Sequence, residues 1–128
     1  MAITIGCKGI VETQVTKELT AKAAGSGDLL VFGTPFMIAL MECAACKALE
    51  EHLEDGQSSV GTMLNVTHDA ATPVGMDVRA EAEVTAVEGR KISFTVTAYD
   101  EKGLIGKGTH DRFLIKAESF LAKTYDKL

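Results

Sequence analysis

One stretch constrains the fold more than any other part of the sequence: residues 36–49 are almost continuously apolar, interrupted by two charged side chains. Thr34 and Pro35 come directly before it and predict a helix with Thr34 as its N-cap and Pro35 as its first helical residue. The helix is expected to end near Gly56. A helix that is apolar on almost every face must be buried on almost every face, so the rest of the chain has to surround it.

The residues on either side of this helix show the two-residue period of strands. Val60, Thr62, Leu64, Val66 and His68 are expected to share one face of the strand that follows the helix. The other expected elements are an edge strand within 2–16, a loop or lid within 17–33, strands near 78–86, 92–98 and 104–117, hairpin turns at 88–91 and 100–103, and a short helix within 118–128.

One long helix and about five antiparallel strands predict an α+β architecture, in which a single domain of residues 1–128 wraps its sheet around the helix. The length suits one hydrophobic core and is too short for two. A single layer of sheet does not enclose a helix completely. We therefore expect a second copy of the chain to close the assembly as a homodimer.

Charge and aromatic content argue against nucleic acid as a partner. Lys and Arg number 13 against 18 Asp and Glu, which gives a net charge of −5. A protein that tracks phosphate groups needs a cationic surface, and one that stacks on bases needs aromatic side chains. Only 5% of the residues are aromatic and none is Trp.

Cysteine content predicts a reducing, cytoplasmic location. The three cysteines, Cys7, Cys43 and Cys46, form neither a disulfide framework nor a set of four zinc ligands. Cys43 and Cys46 lie in the apolar helix, where packing in the core is the expected role. The first residues lack the pattern of a secretion signal, and the apolar run is too short and too charged to span a membrane.

Three residues stand out as carriers of chemistry. Glu42 is an acid inside the apolar helix, where it either pairs with a cation on a strand or performs a function that needs a desolvated carboxylate. His68 closes an apolar strand beside a loop, a place where catalytic groups are often held. With Thr34, they would supply a hydroxyl, a carboxylate and an imidazole, a set suited to acyl transfer. His52 and His110 lie among polar residues, and neither is assigned a metal.

Several segments together resemble the fluoroacetyl-CoA thioesterase family. They are the helix start Val-Phe-Gly-Thr-Pro-Phe-Met-Ile-Ala-Leu-Met-Glu at 31–42, Val-Gly-Thr at 60–62, Val-Thr-His-Asp-Ala-Ala-Thr-Pro-Val-Gly at 66–75, Val-Glu-Gly-Arg-Lys at 87–91 and Gly-Lys-Gly-Thr-His-Asp-Arg at 106–112. The resemblance implies a hot-dog fold, a homodimer, and hydrolysis of an acyl-CoA thioester at the subunit interface. Pairing of two dimers stays open.

The resemblance also implies roles for individual residues. Thr34, Glu42 and His68 become the catalytic set, with Glu42 as the nucleophile or the base for water, Thr34 orienting it or binding the acyl group, and His68 moving the proton. Whether Thr34 or Glu42 attacks the thioester stays open at this point. Gly61 becomes a backbone contact near the thioester, and Arg112 a substrate contact. Coenzyme A is part of the substrate, and neither a metal nor a resident cofactor is expected.

The stretch before the helix departs from the family. The family places phenylalanines in the lid that precedes its catalytic threonine, whereas residues 24–28 are Ala-Gly-Ser-Gly-Asp. Such a lid does not fill an apolar pocket. We therefore expect a short or medium acyl group other than fluoroacetyl. The alternatives are a binding protein that holds an acyl-CoA or another small acid without turnover, and another hot-dog chemistry such as dehydration.

Overall fold

An antiparallel sheet curves around one long helix. The computed structural model describes residues 2–128. The elements in chain order are β1 (Lys8–Gln14), α1 (Ala21–Ala24), α2 (Thr34–Leu49), β2 (Gln57–His68), β3 (Asp77–Glu88), β4 (Lys91–Asp100), β5 (Gly103–Lys116) and α3 (Ala117–Tyr125), with short 3-10 turns at Lys17–Leu19 and Glu50–His52. This confirms the predicted α+β arrangement, including the C-terminal helix.

The five strands lie in the order β1-β3-β4-β5-β2, and every neighbouring pair is antiparallel. Tight turns join β3 to β4 and β4 to β5, as the sequence predicted, and β1 forms one edge. β2 forms the other edge, although it follows α2 directly in the chain. α2 packs against one face of this sheet, mainly against β1 and β3.

The core forms where alternate strand residues meet one side of α2. The fully buried side chains come from α2, β3 and β4 in particular: Met37, Met41, Ala44, Ala45 and Leu49; Val78, Ala80, Ala82 and Val84; Ile92, Phe94, Val96 and Ala98. Small side chains let the helix approach the sheet closely. Gly9 of β1 is the extreme case, because a Cβ there would overlap the helix backbone at Ala44 and Ala48.

One stripe of α2 stays open in this chain, contrary to the expectation of burial on almost every face. Ala39, Cys43 and Cys46 are exposed. A groove of about 470 Å³ follows the stripe, with Val11 of β1 and Ser58 of β2 in its walls. Those strands are the two edges of the sheet, so the stripe faces the gap that five strands leave. The prediction that both cysteines pack in the core is therefore wrong for the isolated chain.

A β-bulge in β2 breaks the predicted alternation of that strand. Gly61 pairs with Arg112 and Met63 pairs with Asp111, so the register shifts by one residue between them. Residues opposite each other on neighbouring strands share a face. Gly61, opposite the buried Arg112, therefore faces the helix, and Val60 does not share a face with Leu64.

No helix in the part of the chain that the structure describes combines the length and the apolar character needed to span a membrane.

Candidate active site

A hydroxyl–imidazole pair lies where α2 begins and β2 ends. The Thr34 Oγ1 and His68 Nδ1 atoms are 2.7 Å apart, at hydrogen-bond distance. The helix begins one residue earlier than predicted: Gly33 is the N-cap and Thr34 is the first helical residue, with Pro35 after it. The predicted N-cap role of Thr34 is therefore wrong, because its hydroxyl contacts His68 and makes no cap bond.

The local backbone fixes this pair in place. The Phe32 N–H donates to the carbonyl of Thr72, and Val31 bridges to Pro73, so the segment before α2 is tied to the loop after β2. The Phe32 ring also meets the His68 ring edge-on, with 6.4 Å between centroids. Thr34 and His68 thus belong to two elements that are tied to each other directly beside the pair.

The environment of His68 favours its neutral form. Burial lowers its pKa below the ordinary 6.5, although the Asp69 carboxylate and the nearby Ala70 backbone act in the opposite direction. With the proton on Nε2, a neutral imidazole accepts the Thr34 hydroxyl hydrogen at Nδ1. The pair can then activate the hydroxyl by removing its proton. The Nε2 atom has no hydrogen-bond partner among residues 2–128.

A pocket of about 250 Å³ opens beside this pair. Its lining is Ala21, Ser26, Val31, Phe32, Thr34, His68, Asp69, Ala70 and Ala71. Four of these residues, Ala21, Ser26, Val31 and Phe32, come from residues 17–33, within which the sequence predicted a loop or lid. Phe32 and Val31 are the two large apolar side chains in the lining, and Asp69 contributes a carboxylate.

Glu42 lies in a second cluster, in contact with a buried arginine. Its Oε2 atom is 3.3 Å from Arg112 Nη1, and the side chains are 36% and 7% exposed, respectively. The Arg112 Nε–H donates to Ser59 Oγ at 2.8 Å, and Nη2 donates to the Ser59 carbonyl at 3.1 Å. Glu42 therefore pairs with a strand cation, one of the two alternatives that the sequence left open.

Gly61 lies directly against the Glu42 carboxylate, so a side chain at this position would displace that carboxylate. A Cβ on Gly61 would be 2.5 Å from Glu42 Oε2, 3.2 Å from His110 Cε1 and 3.4 Å from Arg112 Nη1. The bulge at Gly61 and its missing side chain together make room for three polar side chains. The proposed thioester contact of Gly61 would thus fall in the Glu42 cluster.

The predicted catalytic set is only partly assembled within one chain. Thr34 and His68 meet, but Glu42 follows Thr34 by eight helical residues, which is about 12 Å along the helix axis. The pocket beside Thr34 and His68 does not include Glu42 in its lining. One chain therefore presents two clusters, the Thr34–His68 pair and the group of Glu42 with Gly61 and Arg112.

The sequence interpretation gave no role to His110, which is fully buried in the second cluster. Its Nε2 atom is 3.2 Å from Arg112 Nη1, and its Nδ1 atom is 2.8 Å from the Met63 carbonyl. A signal for this was present in the sequence: His110, Arg112 and Leu114 have the same parity along β5, so a strand that buries Leu114 turns all three inward.

The remaining histidine, His52, contacts a cysteine and belongs to neither cluster. The Cys7 Sγ and His52 Nε2 atoms are 3.6 Å apart near the end of α2. No group of three or more His, Cys, Asp or Glu side chains within residues 2–128 has an arrangement that could hold a metal ion.

Comparison with known proteins places this geometry in a family. The family model for fluoroacetyl-CoA-specific thioesterase matches residues 15–118. A protein of Streptantibioticus cattleyicolor named fluoroacetyl-CoA thioesterase is 48% identical over 97 residues, which cover 76% of this chain and 70% of that protein.

Solved structures agree in fold over nearly the whole chain. A fluoroacetyl-CoA thioesterase structure matches with a TM-score of 0.93 at 37% identity, covering 100% of this chain and 99% of that one. A thioesterase superfamily member from Thermus thermophilus gives 0.90 at 31% identity, with 98% and 93% covered. A hot-dog-like protein from Thermanaerovibrio acidaminovorans, 21% identical, shares the fold with a TM-score of 0.88 and the same coverage. The helix wrapped by five strands is thus a hot-dog fold, and by its sequence match over residues 15–118 the chain belongs to the fluoroacetyl-CoA-specific thioesterase family.

Proposed function

We propose that this chain hydrolyses short or medium acyl-CoA thioesters to the free acid and coenzyme A. The observation that carries the proposal is the 2.7 Å contact of Thr34 Oγ1 with His68 Nδ1 at the wall of a pocket. A hydroxyl held by a neutral imidazole is the arrangement that nucleophilic acyl transfer requires. A relative of this chain has been solved, as a variant, in complex with acetyl-CoA.

The reaction begins with removal of the Thr34 proton by His68. The Thr34 oxygen forms a bond to the thioester carbonyl carbon, and the carbon–sulfur bond then breaks as the imidazolium returns its proton to the departing thiolate. Water, deprotonated by His68, then forms a bond to the acyl carbon. The bond from that carbon to the Thr34 oxygen breaks, and the imidazolium returns its proton to the Thr34 oxygen as the acid is released. Thr34 stands at the positive end of the α2 dipole, which favours the negative charge that develops on the carbonyl oxygen.

Glu42 enters this site from a second copy of the chain. It lies about 12 Å along the helix from Thr34 and so does not reach the Thr34–His68 pair of its own chain. We therefore place the partner subunit's Glu42 beside Thr34 and His68, where its carboxylate orients the hydrolytic water. Gly61 and Arg112 accompany it and contact the thioester and the CoA portion of the substrate.

The outer edge of β2 and the open stripe of α2 support the homodimer. β2 has no strand on its outer side in the described chain, and Met63 and Leu64 on it are each 37% exposed. A long exposed edge strand with apolar side chains is a site for pairing with another chain. The reaction described here uses no metal or resident cofactor, and the three free cysteines suit the reducing conditions of the cytoplasm.

The pocket lining favours an acyl group larger than fluoroacetyl. Ala21, Ser26, Ala70 and Ala71 leave space where larger side chains would restrict the acyl chain. Asp69 in the same lining disfavours acyl groups, such as succinyl, that carry a carboxylate at their far end, since like charges repel. We expect neutral acyl chains longer than two carbons to be the better substrates.

Thiol release from a panel of acyl-CoAs tests the proposal: acetyl, fluoroacetyl, butyryl, hexanoyl, phenylacetyl and succinyl. We expect turnover that is fastest on the neutral longer chains and lost in T34A and H68A. T95A, a substitution of an exposed threonine on β4, is the matched control and should keep full activity. The alternative is an acyl-CoA binding protein, which would show ligand-induced stabilisation with no thiol release from any member of the panel.

A further inference from the structure

His110 is fully buried, and both of its ring nitrogens make hydrogen bonds. It is 0% exposed, and its ring stacks on Phe94 with 5.9 Å between centroids and 25° between planes. Both ring nitrogens have partners, the Met63 carbonyl at Nδ1 and the Arg112 guanidinium at Nε2. An apolar side chain would fill the same space without these bonds, so the imidazole has a role beyond packing.

The partners determine the protonation state of this ring. A carbonyl oxygen only accepts hydrogen bonds, so Nδ1 carries a hydrogen and donates to Met63. A guanidinium only donates, so Nε2 is unprotonated and accepts from Arg112 Nη1. His110 is therefore neutral, with its proton on Nδ1. Burial lowers its pKa, and the neighbouring Arg112 acts in the same direction, while the Met63 hydrogen bond, Glu42 and Asp111 oppose them.

Together with Ser59, His110 fixes the orientation of the guanidinium. Ser59 receives the Nε and Nη2 hydrogens, and His110 receives a hydrogen from Nη1. The same Nη1 group reaches Glu42 Oε2 at 3.3 Å. With three acceptors in place around it, the guanidinium has one orientation, and that orientation sets where the Glu42 carboxylate lies above Gly61.

We propose that His110 is a positioning residue of this thioesterase: its unprotonated Nε2 orients Arg112, and Arg112 holds the Glu42 carboxylate in its working position. The proposal rests on the proposed function in one respect, the use of Glu42 in catalysis. The hydrogen-bond chain itself is independent of activity and is tested separately.

The first test examines the hydrogen-bond chain of His110, Arg112 and Glu42 and needs no substrate. Two-bond ¹H–¹⁵N spectra of the wild-type protein at pH 7, with ring signals assigned by comparison with H110Q, report which ring nitrogen of His110 carries the proton. We expect the neutral form protonated on Nδ1. A proton on Nε2, or a doubly protonated ring, would overturn the proposal even if the enzyme proved fully active.

The second test compares two polar substitutions that separate the two hydrogen bonds. H110Q can place its amide oxygen near the Nε2 position and accept from Arg112, whereas H110N can place a donor near Nδ1 and is too short to reach the guanidinium. We expect kcat to fall about 100-fold in H110N, as a displaced catalytic group commonly costs, with KM within about threefold of wild type. H110Q should recover most of that loss. H52Q, at a histidine outside both clusters, is the matched control.

The outcomes separate the inference from the function on which it rests. A wild-type protein that releases no thiol from any acyl-CoA contradicts the proposed function, and the ring protonation still decides the hydrogen-bond chain. An active wild type in which H110N is as fast as H110Q refutes the positioning role. Equal loss in kcat and in thermal stability for both variants refutes it as well, since His110 would then be needed only for folding.

Discussion

Two inactive variants of this chain should form an active dimer when they are combined. The perturbations are T34A, which removes the hydroxyl of the Thr34–His68 pair, and E42A, which removes the carboxylate of the other cluster. Each alone should lower kcat by about 10²–10⁴-fold, the usual range for a group that acts in proton transfer or attack. The combination is informative because the structure separates the two groups within one chain.

The expected recovery follows from that separation. Thr34 and Glu42 are about 12 Å apart along α2, so a site that uses both must take them from different chains. In a heterodimer of T34A and E42A, one of the two sites receives both alanines, and the other receives an intact Thr34 and an intact Glu42. A twofold dimer has two equivalent sites, so the heterodimer should show about half of wild-type activity.

The assay needs pure heterodimer and a control in which complementation is impossible. Co-expression with two different affinity tags and purification on both yields the heterodimer, whose mass is verified by light scattering before thiol release is measured. T34A paired with H68A is the control. Both changes fall in the same half of the site, so each site of that heterodimer lacks one member of the Thr34–His68 pair and should stay inactive.

Two results would refute the reasoning. If the T34A/E42A heterodimer is no faster than either parent, Glu42 does not complete the site of its partner. If the wild-type protein is monomeric while fully active, one chain builds the whole site, and Glu42 is not supplied by a partner.

Three further predictions address single features of the site. G61A should lower kcat about 100-fold with little change in the unfolding temperature, because the new Cβ would lie 2.5 Å from the Glu42 carboxylate; steady-state kinetics and a thermal melt measure the two effects. The midpoint of the acid limb in a plot of kcat/KM against pH should lie below pH 6.5, because burial lowers the pKa of His68 and the neutral ring is the active form. The same shift makes unfolded chains bind more protons below pH 6.5, so the unfolding temperature should decline there and stay level above it. S26F should fill the acyl pocket and lower the ratio of kcat/KM for hexanoyl-CoA to that for acetyl-CoA; an unchanged ratio would show that Ser26 does not contact the acyl chain.

The elements of this fold were predictable because their signals are local. The continuous apolar run required a central helix, and the hairpins at 88–91 and 100–103 follow from turn residues between alternating strands. The helix start was misplaced by one residue because Thr-Pro satisfies an N-cap rule that Gly33 satisfies as well, and only the contact of Thr34 with His68 distinguishes them. The burial of Cys43 and Cys46 was predicted wrongly because composition does not show which stripe of the helix the sheet leaves uncovered.

The site was less predictable because it depends on register and on tertiary distance. Glu42 and His68 could be selected as unusual residues in apolar surroundings, but no periodicity shows that the first meets Arg112 and the second meets Thr34. The bulge between Gly61 and Met63 is a single extra residue, and it reverses which side chains of β2 face the helix. His110 was passed over because its neighbours in sequence are polar, although its neighbours in space are Phe94 and Arg112.

The placement of the two clusters along one edge strand gives a reason why the site should span two chains. β2 carries Gly61 near its middle and His68 at its end, seven residues apart, which is about 23 Å of extended chain. If two copies of β2 pair as antiparallel edges about an axis at Asn65, Leu64 of one strand lies opposite Val66 of the other, on the same face. The extra residue of the bulge between Gly61 and Met63 then brings position 61 of one strand opposite position 68 of the other. The Glu42 carboxylate above Gly61 then comes to the Thr34–His68 pair of its partner. The exposed segment 61–65 contains this axis, so the part of the sheet left uncovered in one chain is the part that would bring the two clusters together.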